Sequence, residues 1–196
     1  MSAQTPTDYA FENTNRWSTK ELVTMALLCA VSVLLSFVEF PLIPGITWLK
    51  FDAAAMPAMV VGFAYGPGAG FIVGLASALV HGALLGDWVG ALMNIIVNAA
   101  LIVPAAIIYQ RKRTYKRAIA GLAVSAACAI VCAILANIVI DPFYFGMPME
   151  AVLALVVPVL LPFNILKTLL DAVLTLVVYK AVSNLITPQK DQVRGK

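Results

Sequence analysis

The stretch LLPFNILKTLLD, Leu160–Asp171, lies in one of the most apolar regions of the chain. It nevertheless carries an amide at Asn164, an ammonium at Lys167 and a carboxylate at Asp171. A charge at the centre of a bilayer costs at least about 2.5–3.5 kcal/mol. Polar groups are therefore kept at such a depth only where a partner or a function compensates for that cost.

The composition of the whole chain indicates an integral membrane protein. Of its 196 residues, 62% are hydrophobic and 12% charged, with a mean hydropathy of +0.93. Soluble domains have roughly 25% charged and 45–50% apolar residues. The first 18 residues are polar and lack the apolar core of a signal peptide, which favours a cytosolic tail.

Apolar runs of suitable length, separated by charged or Pro/Gly clusters, predict an all-α membrane domain of six transmembrane helices at residues 19–186. Cytosolic tails at residues 1–18 and 187–196 flank this domain. A short outer segment, Ala151–Val157, is expected to pack on the bundle before the sixth span begins near Pro162. The predicted spans are Lys20–Val38, Ala53–Tyr65, Ala69–Leu85, Val89–Tyr109, Ala118–Ile140 and Phe163–Leu185.

The basic residues predict the orientation of the chain in the plasma membrane. With both termini cytoplasmic, eleven of the thirteen Lys and Arg residues lie on the inner side, and only Lys50 and Lys167 lie in the outer half. The basic loop QRKRTYKR, residues 110–117, is interpreted as a determinant of this topology and not as a nucleic-acid patch.

Two interpretations remain open for each charge of the opening stretch. Lys167 is either a snorkelling side chain at the outer surface or a donor aimed into an outward-facing cavity. Asp171, four residues further along, either pairs with Lys167 or binds a ligand itself.

Polar side chains at one depth of the predicted bundle indicate a small-molecule pocket. In the outer half we expect Asn137, Asn164, Lys167 and His81, and the loop after the first span brings Lys50 and Asp52 to the same face. A further pair, at residues 94 and 98, is interpreted as amides that join helices by hydrogen bonds.

Aromatic residues of the outer loops have two interpretations. They either form an interfacial belt or stack on a planar ligand. These residues are Trp48, Phe143, Tyr144 and Phe145.

No pattern in the chain is typical of an enzyme. There is no phosphate-binding GxxxxGK[ST] loop, no HExxH and no nucleophile elbow. Cys29, Cys128 and Cys132 lie in apolar runs without further metal ligands, so we expect small buried side chains and no metal site. The function that remains possible is the binding and passage of a solute. We expect neither a cofactor nor an energy source in the chain.

Small residues at four-residue spacing predict close helix packing. The glycines of GPGAGFIVG, residues 66–74, favour packing inside the bundle. Ala26 and Ala30 on the first span fit either internal packing or docking of a partner protein.

At these residues the chain resembles the substrate-binding S components of energy-coupling factor (ECF) vitamin transporters, most closely those specific for riboflavin. The resemblance extends from about Arg16 to Leu185. Its motifs are the AxxxA of the first span, FPLIPGITWLKFD, PAMVVGFAYGPGAG, LANIVIDPFY and LPFNILK, in this order and spacing.

The resemblance implies a six-helix S component with an outward pocket that is closed by the loop after the first span. It also implies docking through that span onto a transmembrane T component, which two ATPases drive. Riboflavin-specific members use an Asn in span 5 and an Asn and a Lys early in span 6, which match Asn137, Asn164 and Lys167. The stretch GDWVGALMN, residues 86–94, departs from the GEFANF-like pattern of those members.

The expected function is therefore capture of riboflavin, bound as a transported ligand, for an ECF importer. An S component for another vitamin or precursor, such as a thiamin precursor, pantothenate or cobalamin, is the first alternative. A structural membrane protein whose polar residues only pack helices is the second.

Overall fold

The computed structural model describes residues 17–186, with side chains described as far as Tyr179. Residues 1–16 of the predicted N-terminal tail and the whole predicted C-terminal tail lie outside the described residues. The elements are α1 (Thr19–Ser36), β1 (Phe40–Pro41), β2 (Lys50–Phe51), α2 (Ala55–Tyr65), α3 (Pro67–Leu85), α4 (Trp88–Arg111), α5 (Tyr115–Tyr144), α6 (Met149–Leu155), a π-helical turn (Val156–Leu160) and α7 (Leu161–Ile186).

The predicted all-α membrane fold is confirmed. Five helical runs have the length and apolar composition needed to cross a membrane, and the shorter α2 accounts for the sixth predicted span. The two strands form only a small antiparallel hairpin, in which Phe40 pairs with Phe51. This hairpin lies in the loop between α1 and α2, at the outer end of the predicted topology.

Local sequence signals set where several helices begin. At the start of α1 the Ser18 side chain accepts a hydrogen bond from the backbone N–H of Glu21, whose carboxylate accepts one from the Ser18 N–H. Gly86, with φ near 73°, ends α3 in the left-handed region. The next residue, Asp87, caps α4 by accepting the Gly90 N–H at 2.8 Å.

The short helix α2 determines where space remains inside the bundle. Its 11 residues rise only about 16 Å, about half of the hydrocarbon thickness. Nearly all of its side chains are buried by the surrounding helices. The Ser32 hydroxyl, one turn before the end of α1, donates to the Ala54 carbonyl at 2.6 Å. Helix α2 therefore begins about one turn below the outer end of α1, and the outer half of the bundle is left for the hairpin and a cavity.

Glycines bring α2, α3 and α4 into close contact. A Cβ placed on Gly70 of α3 would lie 2.7 Å from the Cα of Gly62 and 2.8 Å from the Ala58 carbonyl oxygen, both on α2. A Cβ on Gly74 would lie 2.9 Å from Ile102 of α4. The predicted internal packing is confirmed for Gly70 and Gly74, whereas Gly66 and Gly68 have open space around them.

Aromatic residues fill the end of the bundle opposite to the hairpin. The rings of Phe63, Tyr109 and Tyr179, from α2, α4 and α7, have centroids 4.7–5.6 Å apart. The hydroxyl groups of the two tyrosines are hydrogen-bonded at 2.6 Å. This cluster packs α2, α4 and α7 against one another at that end.

The structure corrects the predicted ends of two spans. Helix α5 continues through Pro142 to Tyr144, so Asp141 belongs to a helix and not to a loop. The predicted break before the sixth span is also wrong, because Met149–Tyr179 forms one helical run.

The reason for the second error is the π-helical turn Val156–Leu160. Its wider hydrogen bond, from the Leu161 N–H to the Val156 carbonyl, accommodates two prolines without ending the helix. Asn164 consequently lies roughly four turns past Met149 and not in a first turn.

Candidate functional site

A cavity of about 310 Å³ occupies the half of the bundle that lies next to the hairpin. The hairpin loop covers one side of it, and α3, α4, α5 and α7 contribute the other walls together with the end of α1. This volume falls at the lower end of the range typical of small-molecule sites, which are concave and carry a few placed polar groups.

Lys167 reaches this cavity from α7 and meets the hairpin loop there. Its ammonium lies 3.6 Å from a carboxylate oxygen of Asp52 and 5.2 Å from the centroid of the Phe51 ring. The Lys167 side chain is only 9% exposed. The snorkelling interpretation is therefore wrong, since the charge is held inside the protein by a carboxylate and an aromatic face.

Asp52 is fixed by the backbone as well as by this ion pair. Its other carboxylate oxygen accepts the Ala54 N–H at 2.9 Å, just before α2 begins. The start of α2 thus determines where the partner of Lys167 lies.

Asp171 does not line the cavity and forms no direct ion pair with Lys167, although the two charges are near enough to attract each other. It is fully buried, and both of its oxygens lack a hydrogen-bond partner among residues 17–186. The predicted pairing is therefore confirmed only as an attraction at longer range, because a helical side chain leans towards the N-terminus of its helix. The direct contact of Lys167 is with Asp52 of the hairpin loop.

Two amides flank Lys167 on facing helices. Asn137 of α5 and Asn164 of α7 are both buried and both line the cavity. One N–H of each side-chain amide donates to a carbonyl of its own helix, that of Asn137 to Ala133 at 2.7 Å and that of Asn164 to Leu160 at 2.8 Å. No group within the described part of the chain donates to either amide oxygen.

The rim on the hairpin side contains a second set of polar contacts. Lys50 forms an ion pair with Glu39 across the hairpin, and its side chain is 44% exposed. Nδ1 of His81 on α3 lies 2.8 Å from the Ser36 hydroxyl at the end of α1. The first contact closes the hairpin on itself, and the second joins the end of α1 to α3.

The outer aromatics divide between the two interpretations. Trp48 of the hairpin loop and Phe145 at the end of α5 have centroids 5.6 Å apart, and together with Tyr144 they line the cavity. Phe143 is 87% exposed and does not line it. Phe143 fits only the belt interpretation, whereas Tyr144 and Phe145, which are 51% and 45% exposed, fit both interpretations.

All eight residues predicted to bind substrate lie on the wall of this one cavity, and their contacts with a ligand stay a prediction. They are Trp48, Lys50, Asp52, His81, Asn137, Tyr144, Asn164 and Lys167.

The sequence analysis missed several other residues of the wall. Asn94 and Asn98 of α4 also line the cavity, and neither forms a hydrogen bond with another described residue, so the interpretation as helix-joining amides is wrong. Their four-residue spacing placed them on one helix face and was the available signal. Asp141 was missed because it follows Asn137 by one turn in a helix that was predicted to end at Ile140.

The predicted docking residues lie on an outward surface. Ala26 and Ala30 are exposed on α1, beside apolar side chains such as Leu22 and Leu27. Internal packing of this pair is therefore wrong for the chain as described, and the pair leaves a shallow strip open to lipid or to another protein.

The site has the chemistry of binding and not of catalysis. Its charged and amide groups can donate to carbonyls and accept from hydroxyl or N–H groups. No group of three or more His, Cys, Asp or Glu side chains within residues 17–179 has the arrangement of a metal site.

Comparison with known proteins identifies relatives over almost the whole chain. Residues 20–179 match the family described as "ECF transporter, substrate-specific component". The chain is 30% identical to riboflavin transporter RibU of Staphylococcus aureus (strain TCH60), over 88% of this chain and 95% of that protein. It is 29% identical to riboflavin transporter FmnP of Bacillus subtilis (strain 168), over 87% and 96% respectively.

Solved structures have the same architecture. One, described as "Structure and mechanism of the S component of a bacterial ECF transporter", aligns with a TM-score of 0.75 at 28% identity and covers 86% of this chain and 98% of its own. A second, of ThiT from Listeria monocytogenes, has a TM-score of 0.63 at 15% identity over the same shares, a likeness of fold alone.

Proposed function

The chain belongs to the family of ECF transporter substrate-specific components, and from that premise we propose that it captures riboflavin outside the cell for import. It is a multi-pass membrane protein and a part of a transporter, not an enzyme. One observation carries the proposal. Relatives that match nearly the full chain are riboflavin transporters, and the residues expected to recognise a flavin all line one cavity.

The chemistry of the cavity supports a flavin as the ligand. An isoalloxazine ring is planar and largely apolar, and one edge carries two carbonyls and an imide N–H. Lys167 supplies only donors, whereas the amides of Asn137 and Asn164 supply both a donor and an acceptor. In this proposal these three side chains bind the polar edge of the ring, and Trp48 and Tyr144 pack against its faces.

Membrane orientation and assembly are part of the proposal. We place both termini in the cytoplasm, because the basic residues cluster on that side, and the cavity then opens outwards. The partners are a transmembrane T component and two ATPases, which supply the energy that this chain lacks. The exposed strip at Ala26 and Ala30 on α1 is the proposed docking surface for the T component.

The test is identification of the bound small molecule. Protein purified from cells grown with riboflavin should carry flavin absorbance, and mass spectrometry of the released ligand should give the mass of riboflavin. Ligand-free protein should then bind added riboflavin in a titration, and thiamin or pantothenate should not compete. A protein that releases no flavin and binds none in titration overturns the proposal. Release of a different vitamin would leave the family intact and change the substrate.

A further inference from the structure

Asp141 is a buried carboxylate that points into the cavity without a partner. It is only 5% exposed and lines the cavity from the last turns of α5. Its side chain forms neither a hydrogen bond nor an ion pair with any residue of the described chain. Its backbone carbonyl, in contrast, is satisfied by the N–H of Phe145 at 2.9 Å. The unmet group is therefore the carboxylate alone.

A carboxylate in this position is costly unless something donates to it. Burial of an ionised group without a hydrogen bond is strongly unfavourable. Asp171, the other buried and unpartnered carboxylate among the described residues, does not line the cavity and so cannot be satisfied by a ligand. Asp141 can, because it lines the space that a ligand would occupy.

The kind of donor follows from the chemistry of the group. An ionised carboxylate only accepts hydrogen bonds, so its partner must be a hydroxyl, an N–H group or a cation. The isoalloxazine ring of riboflavin offers only its imide N–H, which lies between two carbonyls and is matched better by an amide. The ribityl chain offers several hydroxyl groups.

The position of Asp141 along α5 agrees with that assignment. It lies four residues beyond Asn137 on the same helix face, which is about 6 Å of helical rise towards the outer end. If Asn137 meets the polar edge of the ring, a carboxylate at this separation can reach a chain attached to the middle of the ring system.

Resting on the proposed function, we propose that Asp141 accepts a hydrogen bond from a hydroxyl group of the ribityl chain and so selects flavins that carry this polyol.

The experiment compares riboflavin with lumiflavin, which has the same ring without the polyol. Ligand-free wild-type protein, Asp141→Leu and Asp141→Asn are titrated with both compounds. Asp141→Leu should raise the dissociation constant for riboflavin about 10- to 100-fold, equivalent to roughly 1.4–2.8 kcal/mol. The constant for lumiflavin should not change. Asp141→Asn keeps one acceptor oxygen, so its effect on riboflavin should be smaller and of the same kind.

A matched control separates the effect of Asp141 from that of removing any carboxylate at this end of the bundle. Thermal melting of the ligand-free proteins shows whether each variant is folded. Glu150→Leu removes an exposed carboxylate at the outer end that does not line the cavity, and both constants should stay as in the wild type. If Asp141→Leu does not fold, Asp141→Asn carries the comparison.

If Asp141→Leu raises the dissociation constants of both compounds equally, or does not raise that of riboflavin, the assignment of Asp141 is overturned. The proposal that the protein captures riboflavin is unaffected by either result. A folded wild-type protein that binds neither compound overturns both proposals.

Discussion

Replacement of Lys167 by Met tests the centre of the proposed site. In the empty protein the ammonium lies 3.6 Å from Asp52, and its side chain is only 9% exposed. A ligand carbonyl that meets this ammonium forms a charged hydrogen bond away from bulk water. Met has a similar length and keeps the apolar contacts, so the change removes the donor without opening a large cavity.

The magnitude follows from the kind of bond. Hydrogen bonds to charged groups contribute about 1.5–3 kcal/mol. At about 1.4 kcal/mol per decade, Lys167→Met should raise the dissociation constant for riboflavin roughly 10- to 100-fold. Quenching of flavin fluorescence on titration measures it. The control is Lys116→Met, which removes an exposed cation remote from the cavity and should bind as the wild type does.

The same variant has a second expected effect, on stability. Removal of one partner from a fully buried ion pair costs about 3–5 kcal/mol. Asp52 keeps its hydrogen bond from the Ala54 N–H, and its side chain is 16% exposed, so we expect a smaller loss. The double variant Asp52→Asn/Lys167→Met should recover most of that loss in thermal melting while riboflavin binding stays weak. A riboflavin dissociation constant unchanged in Lys167→Met would refute Lys167 as a ligand donor.

Three further predictions address topology, docking and packing. A cysteine placed in the α4–α5 loop should react with an impermeant label only from the cytoplasmic side, and one at Phe145 only from outside; the opposite pattern would invert the proposed orientation. Ala26→Trp should preserve riboflavin binding and abolish ATP-driven uptake, whereas Leu135→Trp, at an exposed position of α5, should preserve both; loss of binding in Ala26→Trp would contradict the docking role. Gly70→Ala should lower the free energy of unfolding by about 1–3 kcal/mol, because its Cβ would lie 2.7 Å from a backbone atom of α2. Gly68→Ala, with open space around it, should leave that free energy unchanged, and equal melting temperatures of the two variants would contradict the close packing.

The sequence predicted the membrane fold and the gathering of polar residues from several helices around one cavity, because both follow from the energetics of apolar and charged groups in lipid. The spacing of Asn164 and Lys167 placed them on one side of a helix, and the loop motif brought Asp52 to the same level. The partner of Lys167 could not be predicted, because the choice between Asp52 and Asp171 depends on how the hairpin loop folds inwards.

Helix ends near proline were the main source of error. Pro142, Pro158 and Pro162 each suggested a break, yet one lies within the last turn of α5 and the other two are accommodated by a π-helical turn. Whether proline ends a helix depends on the neighbouring backbone, which no local pattern specifies. Because the fifth span was predicted to end at Ile140, Asp141 was not included in it. The four-residue spacing would otherwise have placed Asp141 on the same helix face as Asn137.

The intrahelical bonds of Asn137 and Asn164 have a consequence for discrimination between ligands. Each NH2 group commits one hydrogen to a carbonyl of its own helix, which sets the direction of the amide before a ligand arrives and leaves the second hydrogen and the oxygen for that ligand. A ligand that meets these groups therefore costs little side-chain entropy at the two positions. A compound without matching groups leaves the remaining hydrogen and oxygen of each amide buried without partners, at a cost of about 1–3 kcal/mol for each group. Rejection of wrong compounds should therefore depend on the two amides as well as on Lys167 and Asp141.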